Sequence, residues 1–205
     1  PGQLASVVAG IRPLCVLISR DQVNTGDVTK MAAAGETAKA IRKVVQDIPI
    51  VMYGIVPSAF PARILTDEGA DIVCQGEPFE PIAALLSLFR RFGSSYRLAE
   101  NEINGIWAKY GDTIVTSRHG GFVTDIDQLP MTAWDMLPPS RYRAHHWHCF
   151  DSLHARSPYA AIFTNMGCPY SCTFCSVNVL AGKPNIRFHS LQHIMDELSL
   201  LIENH

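Results

Sequence analysis

Cys168, Cys172 and Cys175 stand in the run Asn165-Met166-Gly167-Cys168-Pro169-Tyr170-Ser171-Cys172-Thr173-Phe174-Cys175-Ser176, a C-x3-C-x2-C spacing. Three thiolates delivered from one loop can occupy three corners of a metal centre. The number matters, because a structural zinc or an electron-transfer iron–sulfur cluster normally takes four protein ligands. Three ligands leave one metal position open, and open positions are where chemistry is done. The triad follows the apolar run Tyr159-Ala160-Ala161-Ile162-Phe163. That run reads as a buried strand, so the cysteines are expected on the loop leaving its C-terminal end.

A zinc site completed by His148, His189 or His193 is the other reading of the same thiols. Zinc knuckles pair one C-x2–4-C with a second pair at a distance, whereas Cys15, Cys74 and Cys149 stand alone. Ligand count and spacing therefore favour iron–sulfur. The run His145-His146-Trp147-His148-Cys149 also invites a metal. In an extended segment adjacent side chains alternate faces, so only His146 and His148 share one. A packing loop is the expectation there. Trp107 and Trp134 are expected as packing anchors, since large aromatics supply contact area between segments. Glu197 is expected as a solvated residue of a helix, as glutamates mostly are.

The elements that must position these residues are legible as alternating strand and helix signals. Leu14-Cys15-Val16-Leu17-Ile18-Ser19 is a continuous apolar run of the kind that forms a buried parallel strand. From about 27 to 46 the positions Met31, Ala34, Ala38, Ile41 and Val45 recur at helical spacing. Ile48–Gly54 reads as a second strand, about 60–69 as a short helix with Pro61 in its first turn, and Asp71–Cys74 as a third strand closed by Gly76. Ile82, Leu85, Leu86 and Phe89 mark a further helix. Such alternation predicts a doubly wound α/β domain over residues 1–91, a parallel sheet covered by helices. Ligands of such sheets bind outside the C-terminal strand ends. Three loops qualify: Ser19-Arg20-Asp21, Gly54-Ile55-Val56-Pro57-Ser58 and Gln75-Gly76-Glu77-Pro78. Residues 92–157 read as a linker containing a hairpin, Ile106–Tyr110 and Thr113–Thr116, turned by Gly111-Asp112. Residues 158–205 carry the cysteine loop and then a helix capped by Ser190, with Ile194, Leu198 and Leu201 as its apolar seam.

The cysteine spacing, Phe174 just before the third cysteine and Gly167 just before the first resemble the radical S-adenosylmethionine (SAM) superfamily. The wider chain resembles its cobalamin-binding branch. Ser19 resembles the serine after an early strand that approaches the nucleotide tail of cobalamin. Gly54 matches the second of the family's paired glycines, with Tyr53 in place of the first, and Gly76-Glu77 matches the third loop. No Asp-x-His-x-x-Gly run is present, so no lower axial histidine is assigned. Asp125-Ile126-Asp127-Gln128-Leu129-Pro130 and Trp134-Asp135 resemble the branch's linker, and Arg187-Phe188-His189-Ser190 with Asp196-Glu197-Leu198 resembles the first βα unit of its TIM-like barrel.

The resemblance implies a Rossmann-like cobalamin-binding domain, a linker and the first unit of a truncated radical SAM barrel. It implies Cys168, Cys172 and Cys175 as ligands of a [4Fe–4S] cluster that cleaves SAM reductively to a 5′-deoxyadenosyl radical. Phe174 would lie near the SAM adenine, and Gly167 would permit tight entry into the loop. Ser19, Gly54, Ser58, Gly76 and Glu77 would line the cobalamin face. A small-molecule or natural-product substrate, methyl transfer to an unactivated carbon and an electron donor such as flavodoxin or ferredoxin are implied with them. The alternative class is a non-catalytic corrinoid- or zinc-binding module.

The bulk numbers set bounds. The chain has 205 residues, 47% hydrophobic and 18% charged, with net charge −2, which suits one or two ordinary globular domains. Absence of a basic stripe gives no case for nucleic acid, and no apolar run approaches the ~20 residues of a membrane span. Three of the six cysteines cluster, so a reducing cytoplasm is the expected compartment rather than a disulfide scaffold. A first residue other than methionine and a last stretch inside a helical pattern lead to the expectation of a piece of a longer protein, inactive alone.

Overall fold

The computed structural model describes residues 1–20, 29–93, 96–98, 103–145, 154–181 and 185–204. Asp21, His146, His148 and Cys149, singled out in the sequence, lie outside them. The described residues divide into two compact units, Pro1–Val123 with Cys168–Asn185, and Thr124–Gly167 with Ile186–His205.

The first unit opens with α1 (Gly2–Ile11) and β1 (Val16–Ser19), followed by α2 (Thr29–Val44) and β2 (Ile50–Tyr53). Two short helices, α3 (Ile55–Ala59) and α4 (Pro61–Asp67), lead to β3 (Ile72–Cys74) and α5 (Phe79–Phe92). A hairpin of β4 (Ile106–Tyr110) and β5 (Thr113–Thr116) completes the sheet. The strand order is β1-β2-β3-β4-β5, with β1, β2 and β3 parallel and β4 and β5 antiparallel. The sheet is thus mixed: three parallel strands extended by the hairpin, whose Trp107 sits opposite Val73.

Strand periodicity explains why the central strands read as unbroken apolar runs. Ile50, Met52 and Val73 face one core with Ala38, Ile41, Val45 and Leu65, while Val51, Ile72 and Cys74 face another with Leu85 and Phe89. Both faces of β2 and β3 are covered by helices, so alternation leaves no polar position. Asp71 ties this layer together. Its Oδ2 accepts the Ile50 N–H at 2.7 Å and pairs with Arg42 of α2.

Two strand expectations need correction. The run from Leu14 to Ser19 is not a fully buried strand. Among the described residues β1 is the sheet edge, paired with β2 alone, and Leu17 is exposed. Tyr159–Phe163 is irregular, with Phe163 exposed, and the strand β6 is instead Asn165–Cys168. A buried strand needs neighbours on both sides, and among the described residues β6 pairs only with β7 (Asn185–Phe188).

Most of β6 and β7 belongs to the second unit, with 3-10 turns at Ile126–Gln128 and Pro139–Arg141. The unit ends in α7 (Leu191–Asn204), where Ser190 Oγ accepts the His193 N–H at 3.1 Å, the expected cap. Ile194, Leu198 and Leu201 are half-buried as expected. Glu197 is the correction on this helix: it is buried, and its Oε1 accepts the Trp134 indole N–H at 3.1 Å. Helical spacing puts Glu197 beside the apolar seam, and Trp134, itself buried, supplies the donor a buried carboxylate needs.

Candidate functional site

Two groups of residues assemble in the first unit. One is the cysteine loop. Cys168 is the last residue of β6 rather than the first of the loop, and Gly167 before it has φ +86°, a conformation side chains rarely adopt. The Cys175 N–H donates to the Cys172 carbonyl at 3.1 Å, closing a turn around the second and third thiols. The Asn178 side-chain amide donates to the Tyr170 carbonyl at 2.8 Å and ties the loop to α6 (Asn178–Ala181). Cys172 is exposed, Cys168 and Cys175 are half-buried, and none is in a disulfide. Phe174 stands at 91% exposure between them.

The other group is the C-terminal edge of the parallel strands, where Ser19, Gly54, Ser58, Gly76 and Glu77 gather as the topology requires. Ser19 pairs with Tyr53 at the ends of β1 and β2, and Gly54 opens α3. Gly54, Ser58, Gly76 and Glu77 are buried, whereas Ser19 is exposed. Their polar groups are engaged with one another and with the segment after the hairpin. The Gly76 N–H donates to Ser58 Oγ at 3.0 Å, and the Gln75 side-chain amide donates to the Ser58 carbonyl at 3.1 Å. Gln75 in turn accepts the Trp107 indole N–H at 2.9 Å, and Glu77 Oε2 accepts the Val123 N–H at 3.0 Å. Trp107 is thus the packing residue expected.

The two groups meet through α6. A Cβ built on Gly76 would lie 3.1 Å from the Leu180 carbonyl oxygen and 3.7 Å from His119 Cε1. The space over Gly76 is taken by the chain that continues from the cysteine loop.

The implied cluster and the implied cobalamin fit these donor sets differently. Three thiols on one turn, free of disulfides, fit an iron–sulfur cluster with one iron left for another ligand. Among the described residues, the three side chains whose ligand atoms lie within 4.8 Å of one another are Asp127, His189 and His193. The three thiols are not gathered to that spacing, as a single zinc would require. For cobalamin, the residues are at the right strand ends, but the Leu180 carbonyl leaves no open cradle at Gly76 in this conformation. The sequence did not foresee this roof, because it depends on residues far along the chain: His119, Val123 and Leu180.

Comparison with known proteins bears on the fold. No family model matches the chain. It is 25% identical over 181 residues, 86% of its length, to an uncharacterized methyltransferase of Pyrococcus horikoshii, and spans 35% of that protein. Among solved structures it resembles the cobalamin-dependent S-adenosylmethionine radical enzyme OxsB with aqua-cobalamin and S-adenosylmethionine bound (TM-score 0.67, 18% identity). The form of OxsB with aqua-cobalamin alone gives a TM-score of 0.68 at 18% identity. In both, the match covers 98% of this chain and 25% of the enzyme. The chain therefore has the fold of about a quarter of that enzyme, Rossmann-like sheet included, as the sequence led one to expect.

Proposed function

We propose that this chain is part of a cobalamin-type radical SAM enzyme and that Cys168, Cys172 and Cys175 are its cluster ligands. The observation that carries the reading is the three-thiol turn at the end of β6, free of disulfides, within a fold shared with OxsB. When bound, a [4Fe–4S] cluster with an open iron supplies reductive cleavage of SAM to a 5′-deoxyadenosyl radical. The chain's own contribution is positional. Gly167 lets β6 deliver Cys168 into the turn, and the backbone hydrogen bond from the Cys175 N–H to the Cys172 carbonyl closes the turn that carries the other two thiols. Phe174, exposed beside the thiols, offers a flat apolar surface for an adenine.

Cobalamin is the second cofactor of this reading, with Ser19, Gly54, Ser58, Gly76 and Glu77 as its face once α6 is displaced. Methyl transfer to an unactivated carbon of a small-molecule or natural-product substrate, a flavodoxin- or ferredoxin-like electron donor and a cytoplasmic location complete the proposal. No described helix is long and apolar enough to cross a membrane.

Anaerobic reconstitution with iron and sulfide tests the core of the reading. A brown protein with about four irons per chain and a broad blue absorption band is expected. Replacing the three cysteines by alanine should abolish the colour and leave the far-ultraviolet circular dichroism unchanged. A colourless chain holding one stoichiometric zinc on those thiols would overturn it in favour of a zinc-binding module.

A further inference from the structure

We propose that Asp127, His189 and His193 form a binding site for a divalent transition metal, of the zinc, cobalt or nickel class, within the second unit and independent of the cysteine loop. Nδ1 of His189 lies 2.9 Å from Asp127 Oδ1, and Nδ1 of His193 lies 3.8 Å from the same oxygen. All three ligand atoms fall within 4.8 Å of one another. The two imidazoles are one helical turn apart in sequence and stack with centroids 4.1 Å apart and planes 14° apart, so both Nδ1 atoms converge on one carboxylate.

A hydrogen bond accounts for only half of this arrangement. One N–H from His189 satisfies the contact at 2.9 Å, but 3.8 Å is too long for a second. A metal accounts for both. Bonds of ~2.1 Å to nitrogen and oxygen place tetrahedral ligands about 3.4 Å apart, between the two observed separations. With each ring carrying its hydrogen on Nε2, both Nδ1 lone pairs are free to donate, and no proton need be released. Two imidazoles and a carboxylate suit zinc and its neighbours rather than magnesium or calcium.

The surroundings suit a bound ion. The histidine side chains are only 10% and 12% exposed, while Asp127 at 31% leaves a side open to water. The Ser190 backbone N–H donates to both Asp127 oxygens, at 3.0 and 3.2 Å. That contact orients the carboxylate, as hydrogen bonds to ligating carboxylates do in metal proteins. Such an ion would clasp the turn at Ile126–Gln128 to the start of α7.

The test uses the full chain with Cys168, Cys172 and Cys175 replaced by alanine, so that thiols take no metal and the cluster proposal is not engaged. Zinc alone is titrated against a chromophoric chelator, and cobalt alone is followed by its visible absorption. One ion per chain is expected, with affinity falling at least tenfold in His193→Ala, which leaves the Asp127 contacts to His189 and Ser190 intact. Should the triple alanine variant not fold, the triple serine variant at Cys168, Cys172 and Cys175 serves. Zinc bound equally well by His193→Ala, or no zinc bound by the parent, overturns the proposal.

Discussion

Cys74 and Cys172 place one functional group in two environments. Cys74 is fully buried in β3, and burial pushes its thiol up to about 12 from an ordinary 9.0. At pH 8 its thiolate fraction is negligible, and only the thiolate is nucleophilic. Cys172 is exposed on the cysteine turn. Iodoacetamide at pH 8 should therefore label Cys172 in the native chain and Cys74 only after denaturation, read by peptide mass spectrometry. Cluster loading should protect Cys168, Cys172 and Cys175 and leave Cys74 as before; labelling of native Cys74 would contradict its placement. Glu197 is buried and held by one side-chain donor. Trp134→Phe removes the N–H that Glu197 accepts, which costs about 1–3 kcal/mol for an acceptor left short of a donor, and adds a packing loss because a phenyl ring is smaller than an indole. Glu197→Gln keeps an acceptor and should cost less than half as much. Urea denaturation of both variants and of the double variant decides, and strictly additive costs would mean that the hydrogen bond contributes nothing.

At the scale of elements, glycines show how local conformation and packing separate. Gly111 turns the β4–β5 hairpin at φ +60° with nothing within 4 Å of an added Cβ, whereas Gly105 before β4 has φ +75° and its Cβ would meet the Gln75 carbonyl oxygen at 2.9 Å. Alanine at Gly111 should cost about 1 kcal/mol from backbone strain alone. Alanine at Gly105 must also displace backbone, and should cost at least about 1 kcal/mol more; thermal unfolding of the pair measures the difference. The Gly-Asp turn was legible in sequence because turn chemistry is local. So were α2 and α5, whose apolar spacing matches the core they cover, and the cysteine spacing, since one loop carries all three thiols. What was not legible depends on distant partners. The exposure of β1 follows from its place in the sheet order, and α3 was hidden because Pro57 reads as loop. The Asp127–His189 contact joins positions 62 residues apart, and no spacing rule connects them.

At the scale of the molecule, the segment that follows the cysteines is also the roof over the proposed corrin face. Residues Cys168–Asn185 fold with the sheet unit, and the Leu180 carbonyl occupies the space that a ligand approaching Gly76 must enter. A ligand reaching Gly76 from the side of its absent Cβ would have to displace the Leu180 carbonyl. Binding there would draw α6 off its packing and so expose the Val179 and Leu180 amides, which donate within their own turn to Ser176 and Val177 at 3.0 and 3.3 Å. Hydroxocobalamin added to the cluster-free chain should therefore speed amide hydrogen exchange over residues 176–181, while β2 and β3 amides stay protected. The change should saturate with the amount of corrinoid retained after desalting. Corrinoid retained without faster exchange in 176–181 would place its site away from Gly76, and no retention would remove cobalamin from the reading while leaving the cluster untouched. A ligand that must displace the chain also forfeits part of its intrinsic affinity to the population of the open state. Truncating the half-buried Leu180 of α6, the helix that packs on α3, should accordingly tighten corrinoid binding if α6 must move, whereas a preformed open site would be indifferent to Leu180→Ala.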